Sequence, residues 1–301
     1  MTNRRAFLQK AGLAAAAAYL SPSFISSALA NPAKISKIGI GLFTLRDQLA
    51  ADVNATIQKV ASIGYNQVET YYGYPGKYEV KGFWGLEAKD FSKLLKNNNL
   101  TTPSGHYNVS DFLSGKGDTV LKSHIETAAS VGQKYFVIPA LPTEVRSNGT
   151  LDDYKRMAGL FNQAAELCKK SGLKLAYHNH NFEYKDQGNG ATGYNILLNE
   201  TDAKLVSFEL DIFWAVNAGL NPVEMFKKNP GRYSMFHVKD MDKTDKAVFA
   251  EVGSGQIDFK SIFNASKTAG LDYIFAEQDL VKKDVYQSIT ESYKYIKTNL
   301  I

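Results

Sequence analysis

One phrase recurs along the chain: a helical stretch of small and polar residues, a glycine, then a short apolar strand with a polar or turn-forming tip. It appears as ASIGYNQVETY, with Gly64 and reaching Glu69, and as ASVGQKYFVIPA, with Gly132 and reaching Pro139. It returns as KKSGLKLAYHNH, with Gly172 and reaching His178, and as KTAGLDYIFAEQD, with Gly270 and reaching Glu277. Glycine just past a helix takes the left-handed conformation that closes it, and the strand follows at once. Copies of helix, glycine and strand are βα units, whose strands run parallel. Four more apolar segments fill the gaps: KIGIGLFTL (37–45), LTTPSGHYN (100–108), AKLVSFELDIF (203–213) and YSMFHVKDMD (233–242).

Helical patterns lie between them. Residues 51–63 carry Val53, Ile57, Val60 and Ala61 at helical spacing. Residues 151–170 follow Thr150, with Asp153 three further on, a capping-box start. Residues 259–268 follow Asp258 as N-cap, with Phe259, Ile262 and Phe263 on one face. Eight strands alternating with eight helical segments predict an α/β chain folded as one (β/α)8 barrel over residues 31–301, a length that suits the roughly 250 residues such barrels use. A doubly wound open sheet is the competing arrangement. It seldom needs eight units, and no G-x-G-x-x-G follows the first strand.

Residues 1–30 stand apart. Arg4 and Arg5, Phe7 and Leu8, an alanine-rich run and the closing SSALA have the layout of an export signal of the twin-arginine type, with cleavage after Ala30. The apolar run is shorter than the roughly 20 residues a membrane span needs. The expectation is therefore a periplasmic protein with no lasting membrane insertion. Arg4, Arg5 and Lys10 supply three of the +5 formal charges, leaving about +2 on the remainder. That is too mild for a nucleic-acid binder, which shows a strongly basic face. The single cysteine, Cys168, sits in a helical pattern as a small core residue and excludes an intrachain disulfide.

Active sites of such barrels lie at the carboxyl ends of the strands. Those ends hold Glu69, His106, His178, His180 with Glu183 just beyond, Glu209 and Asp211, His237 with Lys239 and Asp240, and Glu277. Four of the five histidines are among them, and only His124 belongs to a helical pattern. His178 and His180 are two apart on one strand end and share a face. Burying so many ionisable groups without a partner costs several kcal/mol each, so they either neutralise one another or hold a cation. Mixed nitrogen and oxygen donors suit Mn²⁺, Zn²⁺, Fe²⁺ or Co²⁺. The aromatic loop YGYPGKYEVKGFWG (72–85) exceeds the usual βα length and is a candidate lid or wall.

FELDIFWA, MFHVKDMD, VGSGQIDF and YIFAEQD occur in an order and spacing that resembles the xylose isomerase-like TIM-barrel superfamily. More narrowly, the chain is similar to the sugar phosphate isomerase/epimerase group, which includes inosose isomerases and dehydratases, ketose 3-epimerases and the type IV apurinic endonucleases. The likeness covers the whole chain after the signal. It implies a divalent ion held from strands five to eight by Asp211, His237, Glu277 and a first ligand at His178, where the family carries glutamate. His180 and Glu183 are the other choices for that ligand. Two histidines shift the expected metal from Mg²⁺ toward Mn²⁺, Zn²⁺, Fe²⁺ or Co²⁺.

The resemblance further implies a sugar isomerase or epimerase working through an enediolate. Glu277 or Glu183 would act as carboxylate base, with His106 and Lys239 beside the reacting oxygens. Glu69, His180, Trp214, Gly253 and Gly255 are the expected substrate contacts. Phe43, Tyr71, Tyr72 and Trp84 are further aromatic candidates for stacking on a sugar. A lyase acting on keto-sugar glycosides with the same residues and a non-catalytic carbohydrate-binding barrel are the alternatives. The expected partner is a small-molecule sugar rather than nucleic acid, and a homo-oligomer is compatible with the sequence.

Overall fold

A computed structural model describes residues 35–301 apart from 77, 78 and 80. Residues 1–30, read from the sequence as an export signal, lie outside the described residues. Eight parallel strands close into a barrel: β1 Gly39–Gly41, β2 Gln67–Tyr72, β3 Thr101–Tyr107, β4 Tyr135–Ile138, β5 Lys174–His178, β6 Val206–Asp211, β7 Tyr233–Val238 and β8 Tyr273–Ala276. Neighbours in sequence are neighbours in space, and β8 pairs with β1 to complete the ring. The repeat read from the sequence is therefore the repeat of a TIM barrel. Gly64 and Gly270 cap their helices with φ of +118° and +83°.

Strand alternation sorts the residues into two environments. Ile40, Val68, Phe136, Tyr177, Leu210 and Phe236 point outward and are fully or almost fully buried beneath the helices. Tyr135, Val137, Ala176, Met235 and Phe275 pack together inside the barrel. On β5, β7 and the last strand the next inward positions are polar. His178 follows Ala176, His237 follows Met235 and Glu277 follows Phe275, so the charged layer rests on an apolar floor.

Helix starts follow local chemistry. Helix Leu151–Lys170 begins with a complete capping box between Thr150 and Asp153. Cys168 on that helix is fully buried, and burial pushes its thiol up to about 12, so it is a packing residue. His124, on helix Thr119–Ser130, is also packed inward, against the rings of Tyr72 and Tyr107.

Two strands differ from expectation. The first is three residues long, and residues 42–45 turn into a 3-10 helix. Gly41 is the reason for an opening here. A Cβ on it would lie 2.6 Å from Glu277 Oε1, so the strand presents bare backbone to that carboxylate. The seventh breaks after Val238, and Asp240–Met241 instead pairs antiparallel with Phe249–Ala250. The long loop after β2 supplies a wall. Phe83 and Trp84 are buried in it, and Trp84 Nε1 donates to the Tyr71 hydroxyl at 3.0 Å.

Asp240 organises the turn before the last βα unit. Its Oδ2 accepts from Gly253 N at 2.8 Å and Gly255 N at 3.0 Å, while Oδ1 accepts from Met241 N and Ile257 N at 2.7 and 3.2 Å. Truncation would leave four amides short of an acceptor, each costing about 1 kcal/mol or more where buried. Asp240→Ala is expected to lose about 3 kcal/mol in urea unfolding and to lower the melting temperature by roughly 6–12 °C. Asp240→Asn, which keeps one carbonyl acceptor, should lose less than half of that.

Candidate metal centre

The carboxyl ends of the strands surround a cavity of about 470 Å³. His106, His178, His180, Lys239, Glu277 and Asp279 reach it from strand ends, with Phe43 and Tyr74 on one side and Leu141, Thr143 and Arg146 on another. Register brings the strand ends level: His178 lies opposite Glu209, and Asp211 opposite His237. His237 lies at the junction. Its Nδ1 is 2.9 Å from Glu277 Oε2, and its Nε2 meets Glu69 Oε2 and lies 3.2 Å from Glu209 Oε2.

Glu209 is fully buried at the centre of three imidazoles. Its Oε2 lies 2.7 Å from His106 Nε2 and 2.9 Å from His178 Nδ1, besides the contact with His237. Glu69 closes the network by accepting from the Ser104 hydroxyl at 2.5 Å and lying 3.2 Å from His106 Nε2. On the other side of His237, Lys239 Nζ sits 2.6 Å from Glu277 Oε2, 2.9 Å from Asp211 Oδ2 and 3.0 Å from Asp279 Oδ1. The ammonium pairs with Asp211 in charge but not in hydrogen-bond alignment, since Asp211 Oδ2 has no hydrogen-bond partner. Asp211 Oδ1 caps the following helix by accepting from Trp214 N at 3.1 Å.

The charges follow from these neighbours. Burial opposes a charged His106, but Glu69 and Glu209 outweigh it and lift its pKa to about 9. Burial likewise opposes a charged His237, and Glu209, Glu277 and Glu69 raise it well above the usual imidazole range. His178 is held well below that range by burial and then by the cations His237 and His106, so it is neutral. Burial lifts Asp211 to about 6 against the pull of Lys239. Burial also acts to raise Glu277, yet Lys239 and His237 prevail and keep it ionised.

Two donor sets share His237. His106, His178, Glu209 and His237 each offer an atom within 4.8 Å of the others, and so do Asp211, His237 and Glu277. His178 belongs to the first set, and its Nε2 lies 3.6 Å from Asp211 Oδ2 of the second. Two buried carboxylate oxygens, Glu209 Oε1 and Asp211 Oδ2, lack a hydrogen-bond partner. Such atoms are costly unless something positive completes them. Asp211 Oδ2 has the Lys239 ammonium at 2.9 Å, whereas Glu209 Oε1 has none, and this set of imidazole and carboxylate donors fits a divalent transition ion.

Of the expected ligands, His178 and Glu277 line the cavity together with His106, His180 and Lys239, while Asp211 and His237 are fully buried next to them. Other expected contacts have different surroundings. Glu69 is buried in the ionic network rather than lining the cavity. Glu183 is fully buried behind β5, where it accepts from the Tyr177 hydroxyl and from His180 N at 2.5 and 3.0 Å. Burial raises it to about 7, and it orients His180 instead of facing the cavity as a base. Trp214 packs against the His180 ring at 6.0 Å and supports it from outside the cavity. Gly253 and Gly255 give their amides to Asp240 and are crowded by Tyr295 and Met241, so their lack of side chains serves the turn rather than a sugar. Asp279, Tyr74 and Arg146 are the participants the strand-end reading missed. That reading places Glu209 at the end of strand six, two residues before Asp211 on the same inward face, but gives it no role.

A sequence profile described as xylose isomerase-like TIM barrel matches residues 57–280. An inosose dehydratase from Lacticaseibacillus casei is 25% identical over 173 residues, which cover 50% of this chain and 56% of that protein. The chain therefore spans little more than half the length of this relative. A crystal structure of a sugar phosphate isomerase/epimerase from Parabacteroides distasonis superposes with a TM-score of 0.73 at 27% identity, covering 91% of this chain and 96% of that one. The IOLI protein, solved with a zinc atom, shares the fold at 16% identity with a TM-score of 0.69, over 88% of this chain and 99% of that one. With the profile covering most of the barrel, the chain belongs to the xylose isomerase-like TIM barrel family.

Proposed function

We propose that this protein is a metal-dependent sugar isomerase or epimerase that moves a proton next to a sugar carbonyl. The observation that carries the reading is the convergence of Asp211, His237 and Glu277, with His178 Nε2 3.6 Å from Asp211 Oδ2, next to a cavity that His178 and Glu277 line. A divalent ion of the Mn²⁺, Zn²⁺, Fe²⁺ or Co²⁺ type, held there, would supply the charge that polarises a carbonyl and acidifies the neighbouring C–H. The chain's own residues do the rest. Glu277 is ionised, lines the cavity and is held by His237 and Lys239, so it can accept the proton from carbon. His180, which burial and then Lys239 hold down to about 3, stays neutral and can exchange a hydrogen bond with a sugar hydroxyl. Phe43 and Tyr74, with ring centroids 5.9 Å apart, form the apolar wall that excludes water.

The arginine pair and the SSALA site in residues 1–30 support export by the twin-arginine route, and with it a periplasmic reaction. Among the described residues no helix is long and apolar enough to cross a membrane. A second reading, elimination rather than isomerisation, is favoured by the relatives named inosose dehydratase. Proton removal by the same carboxylate would then expel a leaving oxygen instead of returning the proton. Incubation with free ketoses and with 3-keto-glycosides separates the two. An epimer or aldose product supports the first reading, and release of the aglycone supports the second.

Asp211→Asn and Glu277→Gln each remove one charged donor. Metal content by elemental analysis is expected to fall at least tenfold in both, and turnover by 10³-fold or more, about 4 kcal/mol at the barrier. Unchanged metal content in both variants would overturn the reading.

A proton on Asp211 competes with the ion. Because the Asp211 pKa is raised to about 6, affinity should be flat above that pH with respect to this group. Below it, the dissociation constant should rise about tenfold per pH unit as the carboxyl protonates. Metal titrations between pH 4.5 and 8 on wild type and Asp211→Asn check this, since the inflection near 6 should vanish in the variant.

A further inference from the structure

The cavity holds two cationic side chains that are not imidazoles, and their situations differ. Lys239 is buried and its charge is divided among Asp211, Glu277 and Asp279. Arg146, on the short helix Thr143–Asn148 after β4, lines the same cavity at its exposed edge. One guanidinium nitrogen donates to Thr143 Oγ1 at 3.1 Å, and among the described residues it pairs with no carboxylate. Its positive charge is felt at His180, which lines the cavity and whose Nδ1 is buried without a hydrogen-bond partner. The carboxylates that line this cavity, Glu277 and Asp279, are already committed to Lys239.

We propose that the substrate is an acidic sugar, of the uronate or aldonate class, whose carboxylate is selected by Arg146 with His180 beside it. This rests on reading the cavity as a sugar site and adds the substrate class. A guanidinium presents a planar fork of donors that matches a carboxylate in shape. A single unneutralised positive charge balances one carboxylate, whereas a phosphate dianion would call for a second free cation, and Lys239 is not free. Neutral sugars would leave the guanidinium with water alone and gain nothing from it.

The test measures binding of paired ligands by calorimetry to the Mn²⁺-loaded full chain: glucuronate with glucose, galacturonate with galactose, gluconate with glucitol. At least one acid should bind about tenfold more tightly than its neutral partner, and the preference should shrink in 0.5 M salt. Arg146→Gln should cut the preference to twofold or less without changing affinity for the neutral partner, and Arg146→Lys should keep part of it. The side chain is exposed, so both variants should unfold at the wild-type temperature. If no acid outbinds its partner, or if Arg146→Gln keeps the preference, the proposal is overturned. Elemental analysis of the same preparations keeps the two readings apart. A wild type without metal defeats the metal-dependent chemistry, while an acid preference lost in Arg146→Gln would still uphold the role of Arg146.

Discussion

Everything at this end of the barrel depends on a continuous chain of opposite charges buried side by side. It runs from Glu69 through His106, Glu209 and His237 to Glu277, Lys239 and Asp211, with each link 3.2 Å or less. An isolated ion in this interior would cost several kcal/mol, and two ions recover that only in good geometry with further hydrogen bonds. Here each group has at least one partner of opposite or complementary character, so the cost is met collectively. Removing one link would strand its neighbours. The arrangement is for that reason a poor source of net stability but a strong constraint on where every side chain points.

The barrel makes such a chain attainable. Parallel strands in register place residues of neighbouring strands at equal height, and alternation sends every second one inward. Below, the inward positions are Val137, Ala176, Met235 and Phe275, which pack as an apolar plug. One step up they are His178, His237 and Glu277. The ionisable layer therefore has an oil-like floor, and burial there holds His178 down in pKa, while the carboxylates around His106 and His237 overcome the same burial and raise those two. Gly41 adds the last allowance, since only a residue without a side chain leaves space for Glu277 at the β1 side.

Much of this was legible in the residues alone. The phrase of helix, glycine and strand recurs as parallel βα units do, and counting eight strands favoured the barrel over a doubly wound sheet. The capping box at Thr150 and the N-cap at Asp258 were read from local spacing, and both form as read. The ends of β5, β7 and β8 were read correctly because polar residues interrupt apolar runs there. The depth of the site was not readable in the same way. Glu69 and Glu209 stand on inward faces within their strands, and whether such residues meet depends on the stagger between distant strands. Gly253 and Gly255 looked like a ligand cradle because their spacing is the same whether the acceptor is a substrate or a carboxylate. Asp240, thirteen and fifteen residues away, fills that role through tertiary contact. Arg146 carried no signal at all, being one charged residue on a polar helix until the fold set it beside His180.

Asp211 and Glu277, the two acids that share Lys239, divide labour between their oxygens. Asp211 Oδ1 is bound to the backbone of the helix that follows it, which fixes the side chain and aims Oδ2 at Lys239 and toward His178. Glu277 Oε2 takes both His237 and Lys239, and its Oε1 lies against the bare backbone of Gly41. Glu277 thus has one oxygen held by fixed partners and the other facing bare backbone, while the two Asp211 oxygens face a backbone amide and the Lys239 ammonium. An amide could reproduce the first function by accepting a hydrogen bond, but its second atom would be a donor where an acceptor is required. The site therefore constrains these two positions to carboxylates for a geometric reason as well as an electrostatic one. The same reasoning explains why Lys239 is tolerated between them. One ammonium satisfies both acids at once, and Asp279 Oδ1, 3.0 Å away, shares it.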